Sequence, residues 1–261
     1  MIQAIVSSAT RDAVGGAQPP TGVAPPTARS VLLALEADAV LAFDTMLWSR
    51  PMHLTALLAV AMVGMPLGVG DAPSVVGAHR LMLAVAGSIG GVAGAVVFGS
   101  GAAVHALRRA GASTCTHACG RAIGVSALLA PVVMTLVVVL RGVAPGIAMI
   151  PLAATGWFFG LAVAGAAATI APHAGASSAA VLALGATWLG FLTPSAMRLL
   201  VGGWIPIGDG LLWFWNTLPL AWRAQRLGVA PSHGMILGAW IVVGFFAGAV
   251  GAVATSPRRL T

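Results

Sequence analysis

The sequence contains no lysine, and charged residues of every kind are scarce. Asp, Glu, Lys and Arg together make up 7% of the 261 residues, whereas 59% are hydrophobic and the mean hydropathy is +0.97. A soluble domain devotes about a quarter of its residues to charge, which keeps its surface hydrated. This chain is too apolar to cover a water-facing globule, and we predict an integral membrane protein.

The missing lysine also excludes the usual ATP-binding loop. A P-loop has the pattern G-x-x-x-x-G-K-[ST], in which the lysine reaches the nucleotide phosphates. Any ATP-driven work by this protein must therefore come from another subunit. The hydrolase patterns G-x-S-x-G and H-E-x-x-H are also missing, so we predict no catalytic residues and no enzymatic activity on this chain.

Cysteine is nearly absent as well, with two residues in the chain. Cys115 and Cys119 flank His117 in the segment CTHAC, and His105 is nearby, which raises the alternative of a metal site. On a helix the two cysteines share a face while His117 points elsewhere, so the three cannot bind one ion unless the helix breaks. Two cysteines in a reducing compartment are commonly packing residues. We therefore predict no metal site.

Long apolar runs dominate what the sequence does contain. A bilayer core of about 30 Å requires roughly 20 mainly apolar residues in a helix. Six runs are candidates: His53 to Val69, Leu81 to Val104, Ala122 to Leu140, Ile147 to Ile170, Ala179 to Leu200 and Met235 to Ala254. Their interiors contain no Asp, Glu or Lys, which argues against an ion-coupled carrier, whose coupling groups lie at depth.

The segments outside these runs complete the predicted domain organisation. Residues 1–29, rich in Pro, Gly and Ala, and residues 256–261 are predicted to be flexible tails around a transmembrane domain over 52–255. Residues 30–51 alternate apolar residues with three acids at roughly helical spacing and end in Trp48 and Arg50. We predict an amphipathic interface helix carrying Glu36, Asp38 and Asp44. A short soluble helix packed on the membrane domain is the alternative.

The arginines predict the orientation. With six spans both termini share one side, and that side collects eight of the thirteen arginines. Positively charged loops favour the cytoplasm, so we place both termini there. The net charge of +7 lies at the ends of apolar runs, which does not indicate a nucleic-acid partner. The lysine-free, Ala-, Gly- and Val-rich composition is typical of a GC-rich bacterium, so we predict a bacterial cytoplasmic membrane.

Two connecting segments differ from ordinary loops. Val104 to Val125 carries three arginines between apolar runs, which predicts a cytoplasmic turn that meets a soluble partner. Val201 to His233 is crowded with tryptophans around Pro219, and tryptophan favours the headgroup region. We predict a re-entrant or interface-lying hairpin there. An aromatic-rich interfacial turn without function is the alternative.

Three stretches carry a resemblance to a known family. They are SVLLALEADAVLAFDTMLWSRP at Ser30 to Pro51, ALRRAGASTCTHACGRA at Ala106 to Ala122, and GGWIPIGDGLLWFWNTLPLAWRAQRLG at Gly202 to Gly228. Their order among the apolar runs resembles the membrane (permease) subunit of type-2 ABC exporters. The resemblance implies an all-α membrane protein with six transmembrane helices, an N-terminal interfacial elbow helix, and a re-entrant outer segment between helices five and six.

The resemblance also implies roles for particular residues and partners. The cytoplasmic turn would couple to a separate ATPase subunit, which holds the ATP and magnesium, through His105, Arg108, Arg109, Thr114, His117 and Arg121. The outer segment would form a gate from Trp204, Trp213, Trp215, Pro219 and Trp222. A second permease chain, identical or paralogous, would complete the pathway for an amphipathic or lipid-like compound. A membrane anchor or scaffold that does not transport is the alternative function.

Overall fold

A computed structural model describes residues 27–68, 74–99, 113–192, 194–201, 205–227 and 231–255, and every regular element in these ranges is a helix. No strand occurs in these ranges. Their helices are α1 Ala28–Leu47, α2 Arg50–Gly68, α3 Val75–Gly99, α4 Thr114–Val143, α5 Met149–Ala174, α6 Ala176–Leu189, α7 Pro194–Val201, α8 Ile205–Thr217, α9 Ala221–Ala224 and α10 Pro231–Thr255. The predicted all-helical class is therefore confirmed.

Among the described residues, four helices are long and apolar enough to cross a membrane, namely α3, α4, α5 and α10. The longest, α4, has 30 residues and reaches about 45 Å at 1.5 Å per residue, more than the bilayer core requires. They coincide with the predicted second, third, fourth and sixth spans. Helices α2 and α6 are also apolar but are shorter than the four spanning candidates; for α2 the part considered is Arg50–Gly64.

The predicted fifth span is not one continuous helix. Helix α6 ends at Leu189, and α7 begins at Pro194. A proline has no backbone N–H and disfavours helical backbone in the residue before it, so a helix tends to end there. Gly190, the residue after α6, leaves room for the returning chain, because a Cβ at this position would lie 3.1 Å from the backbone nitrogen of Ala221. The chain thus leaves the bundle early and returns against the end of α6.

Helix α3 is the centre of the bundle, with every residue from Met82 to Phe98 buried. Its closest neighbour is α5, which runs in the same direction, since Met82 faces Gly156 and Gly94 faces Ala164. A Cβ at Gly90 would overlap the carbonyl of Gly160. Small residues allow membrane helices to approach until their backbones touch. The glycines of α3 therefore determine how closely α3 and α5 pack in the core.

Helix α1 packs lengthwise against the first half of α4. Gly120 faces Leu35 and Asp38, and Gly124 faces Ala39 and Ala42, so the two helices run in the same direction. This arrangement corresponds to the alternative of a helix packed on the membrane domain. We call the end of the bundle where α3 ends and α4 begins the inner end, and the opposite end the outer end.

Candidate functional site

The residues predicted to contact a partner divide into two groups. His105, Arg108 and Arg109 lie outside the described residues. Thr114 begins α4, where the side chain of Ser113 accepts a hydrogen bond from the backbone nitrogen of Thr116 and caps the helix. The polar residues after Ser113 therefore belong to α4, which starts eight residues before the predicted span at 122.

His117 and Arg121 are buried within the chain rather than exposed to a partner. Their exposed fractions are 4% and 1%. They are four residues apart, so they lie on the same face of α4, and that face meets α1. Within this chain the two side chains therefore face α1 and not the surface, where a soluble subunit would bind.

Asp38 of α1 meets both side chains, and we call the three residues the ionic cluster. Oδ2 of Asp38 lies 2.8 Å from Nδ1 of His117, and Oδ1 lies 3.7 Å from Nε of Arg121. Asp38 is itself buried, with 1% exposure. The interiors of the predicted spans contain no acid, but α1, which precedes them, brings a carboxylate into the bundle.

Helix α3 contacts the ionic cluster directly, and α10 packs next to it through Phe98 of α3. A guanidinium nitrogen of Arg121 donates to the backbone carbonyl of Val97, and its central carbon lies 5.0 Å from the ring centroid of Phe98. The Phe98 ring meets His117 edge-on at 6.3 Å and Phe245 of α10 at 5.8 Å between centroids. The cluster therefore joins α1, α3 and α4 at the inner end, and Phe98 extends this contact to α10.

The chemistry of the ionic cluster is that of a structural junction. Arg121 is charged at any ordinary pH, and His117 adds a second positive charge when it is protonated. Removing one partner of a buried pair leaves an uncompensated charge, which is strongly unfavourable. Sequence reasoning missed this junction, although the spacing Gly120-x-x-x-Gly124 is typical of close helix contact and could have indicated it.

The aromatic residues of the outer segment fall into exposed and buried sets. Trp204 lies outside the described residues, and Trp213 is exposed. Pro219 is buried, and Trp215 and Trp222 pack with Leu220 in a small apolar cluster apart from the main core. None of these contacts requires or excludes a gating role.

Backbone contacts tie this segment to the bundle at the outer end. The backbone nitrogen of Trp222 donates to the carbonyl of Gly190 at 2.9 Å. The indole nitrogen of Trp240 on α10 donates to the carbonyl of Thr217. The segment thus lies between the end of α6 and the start of α10.

Fold and composition together define the class of protein: over the part of the chain that the structure describes, it is all-helical, with four helices long and apolar enough to cross a membrane. Comparison of the chain with known protein families, with curated proteins and with solved structures finds no match. The argument for function therefore rests on this chain's own residues.

Proposed function

We propose that this chain is the permease subunit of an ATP-driven ABC exporter in a bacterial cytoplasmic membrane. A separate ATPase subunit would bind ATP and magnesium at the inner end, and two permease chains would form the pathway between them. In this proposal α2 and α6 are the remaining two of six spans, and both termini are cytoplasmic. The cargo would be an amphipathic or lipid-like compound of the antibiotic or drug class.

The order of elements along the chain carries the proposal. Helix α1 is joined to the bundle at the inner end, and an arginine-bearing connection over residues 100–112 links α3 to α4. After α6, the short helices α7 to α9 fold back at the outer end before α10. This order supports an elbow helix, a coupling turn and a re-entrant outer segment in the positions that the resemblance implies.

The packing of α3 supports a pathway between two chains rather than through one. Helix α3 is covered on all sides, and its backbone contacts α5 at Gly90 and Gly94. A conduit through the middle of the described bundle would have to separate these helices. A pathway at the surface, completed by a second chain, leaves this packing intact.

The ionic cluster supports mechanical coupling at the inner end. The arginine-bearing connection joins α3 to α4, the cluster joins both helices to α1, and Phe98 of α3 packs on Phe245 of α10. A displacement of the connection by an ATPase would therefore move these helices together. Coupling through helices that move together requires no ionisable group in the transport pathway itself.

A partner-binding experiment tests the proposal. We expect the tagged chain to co-purify with a P-loop ATPase. In the double variant Arg108→Glu, Arg109→Glu the amount of co-purified ATPase should fall at least tenfold, because two positive contacts become repulsive. The matched control is Arg80→Glu, an exposed arginine at the outer end, which should retain the ATPase. Repeated purification without any P-loop protein contradicts the proposal; release of a partner without ATPase activity favours the anchor alternative.

The two native cysteines test the proposed orientation. Cys115 is exposed in the first turn of α4 at the inner end. We expect a membrane-impermeant maleimide to label it in inverted vesicles and not in intact cells. In a background with both cysteines changed to serine, Gly146→Cys, in the exposed connection at the outer end, should show the reverse pattern. Labelling of Cys115 in intact cells would place the inner end outside and contradict the proposal.

A further inference from the structure

Arg223 of α9 is a buried cation at the outer end, with 5% of its side chain exposed. Among the described residues, no carboxylate pairs with it. Its guanidinium lies 4.6 Å from the ring centroid of Trp222, one nitrogen donates to the carbonyl of Asn216, and another lies 3.2 Å from Nδ1 of His233. Burial lowers the pKa of Arg223, which is the expected response of a positive charge that has lost water without gaining a counter-charge.

Three buried N–H groups here have no acceptor among the described residues. They are Nε of Arg223 and the indole nitrogens of Trp215 and Trp222. Arginine and tryptophan side chains can only donate hydrogen bonds, so none of the three can satisfy another. Buried donors without an acceptor are rare because they are unfavourable. The site, which we call the donor cluster, therefore offers three buried donors to an acceptor that lies outside the described residues.

The three donors belong to one site. The Arg223 guanidinium lies over the Trp222 ring, and the two residues are adjacent in the chain. Trp215 packs with Trp222 in the same apolar cluster. Their elements, α8 and α9, are adjacent in the chain and are both tied to α10, through Thr217 and His233. The donors thus come from a segment that is held in place on several sides.

Charge decides which acceptor suits the donor cluster. A water molecule could accept from one or two donors but would leave the charge of Arg223 uncompensated. An anion with several oxygens accepts from several donors at once and supplies the missing charge, and arginine is well suited to such groups. An anionic, phosphate-type group satisfies both requirements.

We propose that Arg223, Trp215 and Trp222 bind an anionic phosphate-type group at the outer end. Two sources share this chemistry: the headgroup of an anionic phospholipid and a free phosphate ion. The exposed Trp213 beside the site is typical of the headgroup region, so the lipid source agrees with the surroundings. The proposal depends on the described contacts alone and would stand if no ATPase partner existed.

The test measures binding by the full chain, purified in a neutral detergent. Thermal stability is followed during titration with dioleoylphosphatidylglycerol, dioleoylphosphatidylcholine or inorganic phosphate. We expect the anionic lipid to raise Tm and the neutral lipid, with the same acyl chains, to leave it unchanged. Protection by inorganic phosphate equal to that of the anionic lipid would identify the free ion as the source. No protection by either anion would overturn the proposal.

Donor-deletion variants separate this site from general attraction to positive charge. Trp215→Phe and Trp222→Phe keep an aromatic ring and remove one N–H, so each should weaken the apparent affinity for the protecting anion about tenfold, as expected for a hydrogen bond to a charged group. Arg223→Gln should abolish protection. Trp213→Phe and Arg226→Gln alter exposed side chains and should change the affinity less than twofold. Equal losses in the exposed and buried variants would overturn the proposal, and the phenylalanine variants keep it testable if Arg223→Gln fails to fold.

Discussion

Replacing Asp38 with alanine is expected to destabilise the folded chain by about 3–5 kcal/mol, the usual effect of breaking a buried ion pair from one side. Arg121 would keep its burial beside Phe98 and lose the carboxylate that compensates its charge. His117 would lose the same partner. The effect is a large fraction of a typical folding free energy of about 5–15 kcal/mol. Unfolding of the purified chain by heat or by SDS titration measures it.

Glu36 provides the matched control for this prediction. It belongs to the same helix, carries the same charge and is exposed, so Glu36→Ala should change stability by no more than about 0.5 kcal/mol. Asp38→Asn keeps the shape of the side chain and removes its charge. Its loss of stability should be close to that of Asp38→Ala if charge compensation is the main contribution. Equal melting of the Asp38→Ala and Glu36→Ala variants would show that the ionic cluster does not hold α1 in place.

The double variant Gly90→Ala, Gly94→Ala is expected to separate α3 from α5. A methyl group at Gly90 would overlap the carbonyl of Gly160, and one at Gly94 would overlap the carbonyl of Ala164. Backbone atoms cannot rotate away as a flexible side chain can. Overpacking costs about 1–3 kcal/mol per site, and the two sites lie on one interface, so the combined loss should exceed either single loss. The yield of folded, monodisperse protein and its SDS-unfolding midpoint report this.

Gly185 serves as the control for the glycine variants. It lies in α6, and no atom lies within 4 Å of a Cβ added there. Gly185→Ala should be neutral or slightly stabilising, because alanine favours helix more than glycine does, by roughly 1 kcal/mol. If the Gly90 and Gly94 variants unfold at the same SDS concentration as Gly185→Ala, the close approach of α3 to α5 is wrong.

The membrane class and the four long helices could be predicted because they depend on local composition. A run of about 20 apolar residues is sufficient reason for a spanning helix, whatever the rest of the chain does. The predicted spans that begin at Leu81, Ile147 and Met235 therefore coincide with helices. The beginning of α4 was placed too late, at Ala122, because a hydropathy pattern counts Arg121 as a loop residue.

The ionic cluster could not be predicted from local composition. Arg121 is tolerated inside a bundle because Asp38 arrives from a distant part of the chain, and tertiary contacts of this kind leave no periodic pattern. The buried position of Trp222 has a similar origin, since it depends on Gly190 as a neighbour. The sequence analysis singled out both regions as unusual. It placed them at the surface, because polar and aromatic residues of membrane proteins are most often found there.

The pairing of Asp38 with His117 and Arg121 has a consequence for biosynthesis. The ribosome releases α1 well before the start of α4, and in that interval the aspartate faces neither Arg121 nor His117. A lone carboxylate is strongly disfavoured in lipid, so the nascent α1 must wait in contact with water. Its docking is then a late step of membrane insertion, completed when the translocon delivers the segment that begins at Thr114.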